Sequence, residues 1–309
     1  MNNCIVLMFH EIHDNIWFEE ILRYLSNSYM FIDFDELCDR VATKRLKERV
    51  AHVTFDDGHI SFYEAAYPVM KKLHIPSTLF VSPIAIEQQT NYWFQRVRPL
   101  RSSAFRQLVY ENCMSYFTSS IDGYSIHAVL KSLPYQIANE LIEVFEAMHP
   151  ELVQPYLNIT RSQLVEMSDS GYVEIGAHTL NHPILANESI EDSRQEILMS
   201  INKLSDMIGK AVRTFAYPNG QPGIDFGHRE MDCLREHKIS LAFSTSSSSI
   251  DDTSDTMSIP RIGVSNGNHF YVAQKIRFAK QWISMRDRLL RKTELKERKQ
   301  LLRIRRALN

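Results

Sequence analysis

The sequence predicts an α/β fold built on a parallel sheet or barrel. Short apolar runs alternate with amphipathic stretches along the 309 residues, and the loops between them are mostly short, which is typical of repeated β-α units. Polar clusters directly follow several predicted strands, as the active face of a parallel α/β fold requires. A hydrophobic fraction of 44% is sufficient for a large core, and a charged fraction of 23% is ordinary for a globular chain.

Each predicted element rests on its pattern of apolar residues. Short apolar runs predict strands, and apolar residues three or four apart, such as Phe18, Ile21 and Leu25, predict helices. In chain order, the predicted elements are strand 5–9, helix 17–25, strand 30–32, helix 34–41, strand 50–55, helix 62–73, strand 77–81, helix 161–167, strand 172–175, helix 190–208, strand 214–217, helix 226–237 and strand 240–243.

Two segments depart from this rhythm. Residues from about 84 to 160 lack a clear strand and are predicted to form a mostly helical insertion, in which 138–148 is the strongest helix. Residues 1–270 are therefore predicted to form one α/β domain that contains this insertion. Residues 271–309 carry thirteen Lys and Arg against three Asp and Glu, although the net charge of the chain is −2. We expect a separate basic amphipathic helix there.

This basic helix has three interpretations. We favour a solvated helix that packs partly on the α/β domain. Contact with an anionic membrane surface is the second interpretation, and binding to nucleic acid phosphates is the weakest because it depends on this segment alone. The apolar residues that interrupt its cations are Trp282, Met285, Leu289, Leu290, Leu301 and Leu302.

Other features limit the class of protein. The four cysteines are widely separated and form no Cys-x-x-Cys pair, so we expect neither a zinc–thiolate site nor a disulfide framework. No basic region precedes the short apolar run 4–9, which argues against a signal peptide, and no stretch of about 18 apolar residues predicts a spanning helix. We expect a cytoplasmic protein, and peripheral contact at the inner membrane surface through the basic helix is the second interpretation given above.

Residues 54–58 (TFDDG) are the most informative stretch. Asp56 and Asp57 close a predicted strand and precede Gly58, and successive side chains at the end of a strand point in opposite directions. One carboxylate can therefore enter a metal site while its neighbour lies beside it as a base. Alone, Asp-Asp-Gly is more often turn chemistry.

His178 and His182 follow the strand predicted at 172–175. Pro183 disfavours a helix at His182, so the pair is expected in a loop or a first turn, where such histidines are often ordinary turn or surface residues. With one carboxylate they make a set of three ligands, which leaves a position open for water as in catalytic sites. Imidazole suits zinc and its first-row neighbours, and such a cation lowers the pKa of water from about 15.7 to roughly 7.

Four polar clusters thus close predicted strands. They are His10, the carboxylate pair, the histidine pair and residues 217–220 (YPNG), although the last is also a typical tight turn. A metal with a carboxylate base and a histidine acid is equipped to hydrolyse an amide or an ester. Core packing alone would not place four such clusters at strand ends.

Together these motifs resemble those of the polysaccharide deacetylases of carbohydrate esterase family 4, the NodB-homology proteins. Three segments carry the resemblance, and they are called the first, second and third motifs in chain order: 54–58 (TFDDG), 178–183 (HTLNHP) and 215–220 (FAYPNG). It extends over about residues 3–265, the insertion excepted. The resemblance implies a distorted (β/α)7 barrel and the metal-dependent removal of N- or O-acetyl groups from sugars.

The resemblance also implies a role for each matching residue. Asp56 is the expected general base. Asp57, His178 and His182 are the expected ligands of a divalent metal, Zn²⁺ first, with Co²⁺, Fe²⁺ and Ni²⁺ as alternatives. The backbone N–H of Tyr217 is the expected donor to the developing oxyanion.

The sequence departs from the common family pattern at two places. A late Leu-x-His motif, which supplies the general acid in most members, is not evident after Phe215. The N-terminal strand instead ends at His10, which resembles a circularly permuted branch that includes the poly-N-acetylglucosamine deacetylases, so His10 is the expected general acid. For the arginine that orients the base, we prefer Arg261, within 258–262 (SIPRI), slightly over Arg213.

Three further residues are candidates for substrate binding. Trp93 belongs to an aromatic cluster at 91–96 (NYWFQR) in the insertion and can stack on a sugar ring, although docking of the insertion on the barrel explains it equally. Pro218 and Asn219 belong to the third motif.

The expected function is hydrolysis of the N-acetyl group of an acetamido sugar, in a surface polysaccharide, another glycan or a lipid-linked precursor. A non-catalytic carbohydrate-binding or scaffold protein on the same fold is the alternative from another class, although such a protein needs no set of base, metal and acid. O-acetyl esters and non-sugar amides are alternative substrates.

Overall fold

The computed structural model describes residues 3–100, 102–282 and 293–306, and a parallel sheet forms its centre. The strands in this part of the chain are β1 Cys4–Phe9, β2 Met30–Phe31, β3 Val50–Phe55, β4 Ser77–Val81, β5 Val173–Ala177, β6 Thr214–Ala216, β7 Leu241–Phe243 and β8 Ile262–Gly263. Their order is β7-β6-β5-β4-β3-β1-β8, and β2 pairs with the first residues of β3. All of these pairings are parallel.

The sheet curls into a distorted barrel. Ile259 bridges in parallel to Phe243 of β7, and the same segment continues into β8, which pairs with β1. This segment therefore connects the two ends of the sheet. The barrel predicted from the resemblance is confirmed.

Helices cover the sheet and fill the insertion. In the described residues they are α1 Asn15–Ser26, α2 Phe34–Thr43, α3 Tyr67–Leu73, α4 Pro83–Glu87, α5 Trp93–Val97, α6 Ser103–Cys113, α7 Ile126–Leu130, α8 Tyr135–Met148, α9 Arg161–Asp169, α10 Ile190–Ile208, α11 His228–Glu236, α12 His269–Arg277 and α13 Glu294–Ile304. A π-helical turn at Phe62–Ala66 precedes α3, and 3₁₀ turns occur at Met114–Tyr116, Pro150–Leu152 and Leu185–Asn187.

Local sequence explains the main elements. The Asp14 side chain accepts a hydrogen bond of 2.9 Å from the Trp17 N–H and caps α1, and the apolar positions Phe18, Ile21 and Leu25 are buried, as their spacing predicts. Every residue of β3 and of β4 is buried, as expected for parallel strands that are covered on both faces. The first motif therefore begins at the end of a rigid, fully buried strand.

The insertion between β4 and β5 has an apolar core of its own. Phe105, Val109 and Ile142 are fully buried in it, and Leu301 of α13 belongs to the same core. The C-terminal helix therefore packs on the insertion.

The single basic helix predicted over 271–309 is corrected. Thr293 has an extended backbone with φ of −129°, and its hydroxyl accepts a hydrogen bond from the Lys296 N–H. A new helix therefore starts at Glu294 with its own cap. The apolar positions of the prediction that lie outside the described residues are Met285, Leu289 and Leu290. In the described part of the chain, no helix combines the length and the apolar content needed to cross a bilayer.

Candidate functional site

A cavity of about 500 Å³ lies at the carboxyl ends of the strands. It brings together side chains that are far apart in the sequence, as the position of the motifs after predicted strands implied. The barrel contributes His10, Glu11, Asp56, Asp57, His178, His182 and Asn219. The insertion contributes Trp93, Phe94, Arg98, His127 and Lys131, and the C-terminal helix contributes Glu294.

The turn after β3 presents the two adjacent carboxylates. Asp57 has a φ of +72° and Gly58 a φ of +67°, both in the left-handed region. A Cβ atom at Gly58 would lie 2.7 Å from Val81 Cγ1, so this position requires glycine. The turn sends Asp56 and Asp57 to different partners.

Asp56 is held by a buried arginine. Arg261 Nη1 lies 2.6 Å from Asp56 Oδ1 and Nη2 lies 2.8 Å from Oδ2, while its Nε donates to Ser244 O at 3.0 Å. Burial raises the pKa of this carboxyl, but the charges of Arg261, His178 and His10 outweigh burial and hold the pKa below its usual range. The carboxylate therefore remains ionised at neutral pH, the form that accepts a proton.

The other arginine considered for this role lies elsewhere. Arg213 forms ion pairs with Asp35 at 2.7 Å and with Glu174 at 3.1 Å. The structure thus brings Arg261, and not Arg213, to the carboxylate that was predicted to act as the base.

Asp57, His178 and His182 form a compact group of buried metal-binding side chains, with ligand atoms within 4.8 Å of one another. Asp57 Oδ1 lies 3.6 Å from His178 Nε2 and 3.3 Å from His182 Nε2. This oxygen is buried without a hydrogen-bond donor among the described residues, which is costly unless a cation satisfies it. The donor set therefore fits a divalent metal held by one carboxylate and two imidazoles.

His178 is prepared to act as a neutral ligand. Its Nδ1–H donates to Ala216 O at 2.6 Å, which fixes the tautomer and turns Nε2 towards Asp57. Burial, followed by the charge of His182, lowers the pKa of His178 to about 4. The unprotonated imidazole that a metal requires is therefore the form present at neutral pH.

The loop between the two histidines is held by Glu196 of α10. This carboxylate accepts hydrogen bonds from the N–H groups of Leu180 and Asn181 at 2.9 and 2.8 Å, and from Asn181 Nδ2 at 2.7 Å. Thr179 and His182 both have a φ of +63°, a strained conformation that the surrounding structure must maintain. Glu196 was not singled out from the sequence, and it holds the loop that carries the two histidines.

His10 lies at the cavity beside Asp56. Its Nε2 is 3.9 Å from Asp56 Oδ2, and half of its side chain is exposed. The Asp56 N–H donates to Phe9 O at 3.1 Å, so pairing of β1 with β3 sets the distance between the two side chains. The predicted acid and base are therefore neighbours, and the role of His10 stays a prediction.

The third motif corrects two expectations. The Tyr217 N–H donates to Phe243 O at 3.2 Å and its hydroxyl donates to Met257 O at 2.9 Å. The proposed oxyanion donor is thus engaged within the barrel and does not face the cavity. Pro218 is buried and does not line the cavity, whereas Asn219 does. Among these three residues, Asn219 is the one that lines the cavity.

Of the two roles considered for Trp93, the structure supports docking of the insertion, and stacking on a sugar ring stays a prediction. Trp93 is 5% exposed within the core of the insertion, and its Nε1–H donates to His182 O at 3.1 Å. It therefore docks the insertion against the histidine loop while one edge lines the cavity. Phe94, which belongs to the same predicted aromatic cluster, is partly exposed at the cavity, with its ring centroid 4.9 Å from that of His182.

Fold and site together define a class: a curled parallel α/β barrel with a carboxylate pair and a histidine pair at the carboxyl ends of its strands. The sequence profile of the family described as polysaccharide deacetylase matches residues 43–227, more than half of the chain. The chain belongs to the polysaccharide deacetylase family, which confirms the predicted resemblance and supports carbohydrate deacetylation. The three motifs lie within the match, whereas His10, Arg261 and Glu294 lie outside it.

Several solved structures have a similar fold. The Streptococcus pyogenes deacetylase PplD, in complex with acetate, aligns with a TM-score of 0.61 at 19% identity over 88% of this chain and 97% of that chain. IcaB from Ammonifex degensii gives 0.59 at 19% identity over 91% and 98%, and the BpsB deacetylase domain from Bordetella bronchiseptica gives 0.56 at 17% identity over 84% and 95%. At these identities the likeness shows the fold. No curated protein matches the sequence.

Proposed function

We propose that this protein is a metal-dependent deacetylase that hydrolyses the N-acetyl group of an acetamido sugar. The sugar belongs to a surface polysaccharide, another glycan or a lipid-linked precursor. One observation carries the proposal: the buried group of Asp57, His178 and His182 shares a cavity with Asp56, an ionised carboxylate. Membership in the polysaccharide deacetylase family supports a carbohydrate substrate.

Asp57, His178 and His182 would hold the cation, for which Zn²⁺ is the first candidate and Co²⁺, Fe²⁺ and Ni²⁺ are the others. When bound, a divalent cation supplies a positive charge that polarises the amide carbonyl and lowers the pKa of water. The Ala216 carbonyl orients His178, and Glu196 fixes the loop that carries His182.

The remaining residues move and hold protons. Asp56 accepts the proton of the attacking water, and Arg261 fixes the plane of this carboxylate through two parallel hydrogen bonds. An amide nitrogen must gain a proton before it leaves as an amine. His10, at the rim of the cavity and 3.9 Å from Asp56, donates that proton.

A non-catalytic carbohydrate-binding or scaffold protein is the competing function. Binding a sugar needs polar groups and aromatic faces, but it does not need a buried, arginine-paired carboxylate next to metal ligands. Hydrolysis of an O-acetyl ester or of a non-sugar amide would use the same residues and is an alternative substrate choice.

The test is acetate release by protein loaded with zinc or cobalt, with a chitooligosaccharide as the first substrate and free, nucleotide-linked and polymeric acetamido sugars as the others. Asp56→Asn should abolish turnover while the metal stays bound. Asp169→Asn, at an exposed ion pair with Lys210, is the matched control and should retain activity. A protein that binds no metal and releases no acetate would instead be a scaffold.

We also propose a cytoplasmic location with contact of the basic C-terminal segment at the inner membrane surface. The excess of thirteen cations over three acidic residues from position 271 onward supports this contact. Co-sedimentation with anionic vesicles that is lost at high salt is expected, and equal binding to neutral vesicles would contradict an electrostatic contact.

A further inference from the structure

The first turn of α13 lies at the catalytic cavity. Glu294 Oε1 accepts a hydrogen bond of 2.7 Å from Lys131 Nζ, and the same ammonium group donates to Asn219 Oδ1 at 2.9 Å. All three side chains line the cavity that holds the metal-binding group. The C-terminal helix, the insertion and the third motif therefore meet at one polar cluster, which we call the Lys131 cluster.

Buried contacts fix α13 in this position. Its Leu301 side chain is fully buried in the core of the insertion. Glu297 Oε2 accepts hydrogen bonds from the N–H and the hydroxyl of Ser125 at 3.2 and 2.6 Å, at the start of α7. The helix is thus anchored by apolar and polar contacts, and its first turn is held at the cavity.

A second route connects α13 to the third motif. Arg298 forms an ion pair with Asp225, and both side chains are almost completely buried. Asp225 Oδ2 also accepts a hydrogen bond of 3.0 Å from Asn219 Nδ2. Asn219 is therefore held by α13 from both sides, through Lys131 and Glu294 on one side and through Asp225 and Arg298 on the other.

We propose that Lys131 and Glu294 form a specificity-determining pair that binds the hydroxyl groups of a neutral sugar ring in the cavity. This inference rests on the proposed function and names the part of the site that recognises the substrate. A sugar hydroxyl both donates and accepts hydrogen bonds, and adjacent ammonium and carboxylate groups offer a donor and an acceptor. The side chains are 17% and 41% exposed, so both can be reached from the cavity.

The charge balance of the pair favours a neutral ligand. Lys131 alone would attract a phosphate, but Glu294 lies 2.7 Å from its Nζ and compensates that charge. A cavity of about 500 Å³ is within the usual size of small-ligand sites. An anionic sugar, such as a nucleotide-linked one, is therefore discriminated against by Glu294.

The test is the affinity of the zinc-loaded Asp56→Asn protein for chitotriose, measured by calorimetry, because this form should bind the sugar without turnover. This Asp56→Asn protein is the parent, and adding Glu294→Gln or Lys131→Met to it is expected to weaken chitotriose binding about tenfold in each case. The fold loss of affinity in the double variant should be smaller than the product of the two single losses, since the side chains act as a pair. Glu143→Gln, an exposed acceptor in the insertion, and Lys203→Met, a partly exposed partner of Glu87, are the matched controls. Thermal denaturation and metal content should match the parent in all variants.

Uridine diphosphate N-acetylglucosamine serves as the anionic probe. Glu294→Gln is expected to shift the preference towards this probe by about tenfold or more, because it exposes the charge of Lys131. The inference is overturned if chitotriose does not bind, if both variants bind it like the parent, or if Glu294→Gln leaves the preference unchanged. Acetate release by the wild-type protein is measured separately. Binding that depends on the pair without acetate release would retain the inference and contradict the proposed function.

Discussion

Arg261 and Asp56 form a bidentate ion pair inside the barrel, with distances of 2.6 and 2.8 Å between the guanidinium nitrogens and the two carboxylate oxygens. The arginine is completely buried and the carboxylate nearly so. The two residues are 205 positions apart in the chain. The orientation of the proposed base therefore depends on one distant side chain, and the charge of that side chain is the largest of those that lower the pKa of Asp56.

Arg261→Lys should lower kcat about a hundredfold, because a lysine cannot make two parallel hydrogen bonds to the carboxylate. Arg261→Met should also lower the free energy of unfolding by roughly 3–5 kcal/mol, since it leaves a buried charge without a partner. Acetate release and urea denaturation measure the two effects. Arg213→Lys, at a more exposed pair, should change neither by much, and wild-type turnover in Arg261→Lys would contradict the orienting role.

Replacing either of the adjacent carboxylates, Asp56 or Asp57, by an amide should abolish activity, but the reason differs between the two. Asp57→Asn removes the carboxylate whose oxygen lies 3.3 and 3.6 Å from the two imidazole nitrogens, so the zinc content after dialysis should fall. Asp56→Asn leaves that group intact and should retain zinc. If Asp57→Asn keeps a full equivalent of tightly bound zinc, Asp57 is not a metal ligand.

Glu196→Gln should weaken zinc binding about 10- to 100-fold, the range typical of residues that orient metal ligands. The carboxylate accepts three hydrogen bonds from the loop between the histidines, and an amide cannot accept all of them equally well. Calorimetric zinc titration measures the change. Glu191→Gln on the same helix, whose carboxylate is exposed, is the control, and equal zinc affinity in both variants would refute a supporting role for Glu196.

Acid should destabilise the protein partly through His52. Its Nδ1 lies 2.8 Å from Ile32 O and its Nε2 lies 2.8 Å from Thr78 Oγ1, and burial lowers the pKa of His52 to about 4. An unfolded histidine titrates near about 6.5, so between these values the unfolded chain binds a proton that the folded protein excludes. The stability from this group is therefore complete above about pH 6.5 and is lost as the pH falls towards 4, up to roughly 3 kcal/mol.

His52→Gln isolates this effect. Glutamine can donate to Ile32 O and accept from Thr78 without titrating. Urea denaturation at pH 7 and at pH 4.5 should show a smaller loss of unfolding free energy in the variant than in the wild type. The same pH dependence in both proteins would show that His52 does not contribute.

Most of the barrel could be predicted from the sequence, because its strands and helices are determined by patterns over short stretches of the chain. The fully buried β3 and the amphipathic α1 follow from apolar spacing within a few residues. The motifs could be placed at the active face since each directly follows a strand. The closing strand β8 consists of Ile262 and Gly263, so it contains no apolar run from which a strand could be predicted.

Other parts of the site depend on contacts between distant residues, which the spacing of residue types along the sequence does not reveal. The Tyr217 N–H pairs with Phe243 of the neighbouring strand, and this partner follows from sheet register. Glu196 lies three and four positions from the buried Ser193 and Ser200, which places it near the inner face of α10, but its partners are in a loop. The basic composition after position 271 likewise does not show that Arg298 is directed inwards to Asp225.

The most direct test of the central claim is acetate release and zinc content measured on the same samples of wild-type and Asp56→Asn protein with a chitooligosaccharide. We predict that both samples hold about one zinc per chain, that the wild type releases acetate, and that the variant releases none above the background. Acetate release by zinc-loaded Asp56→Asn at the wild-type rate would contradict the role of this carboxylate as the base.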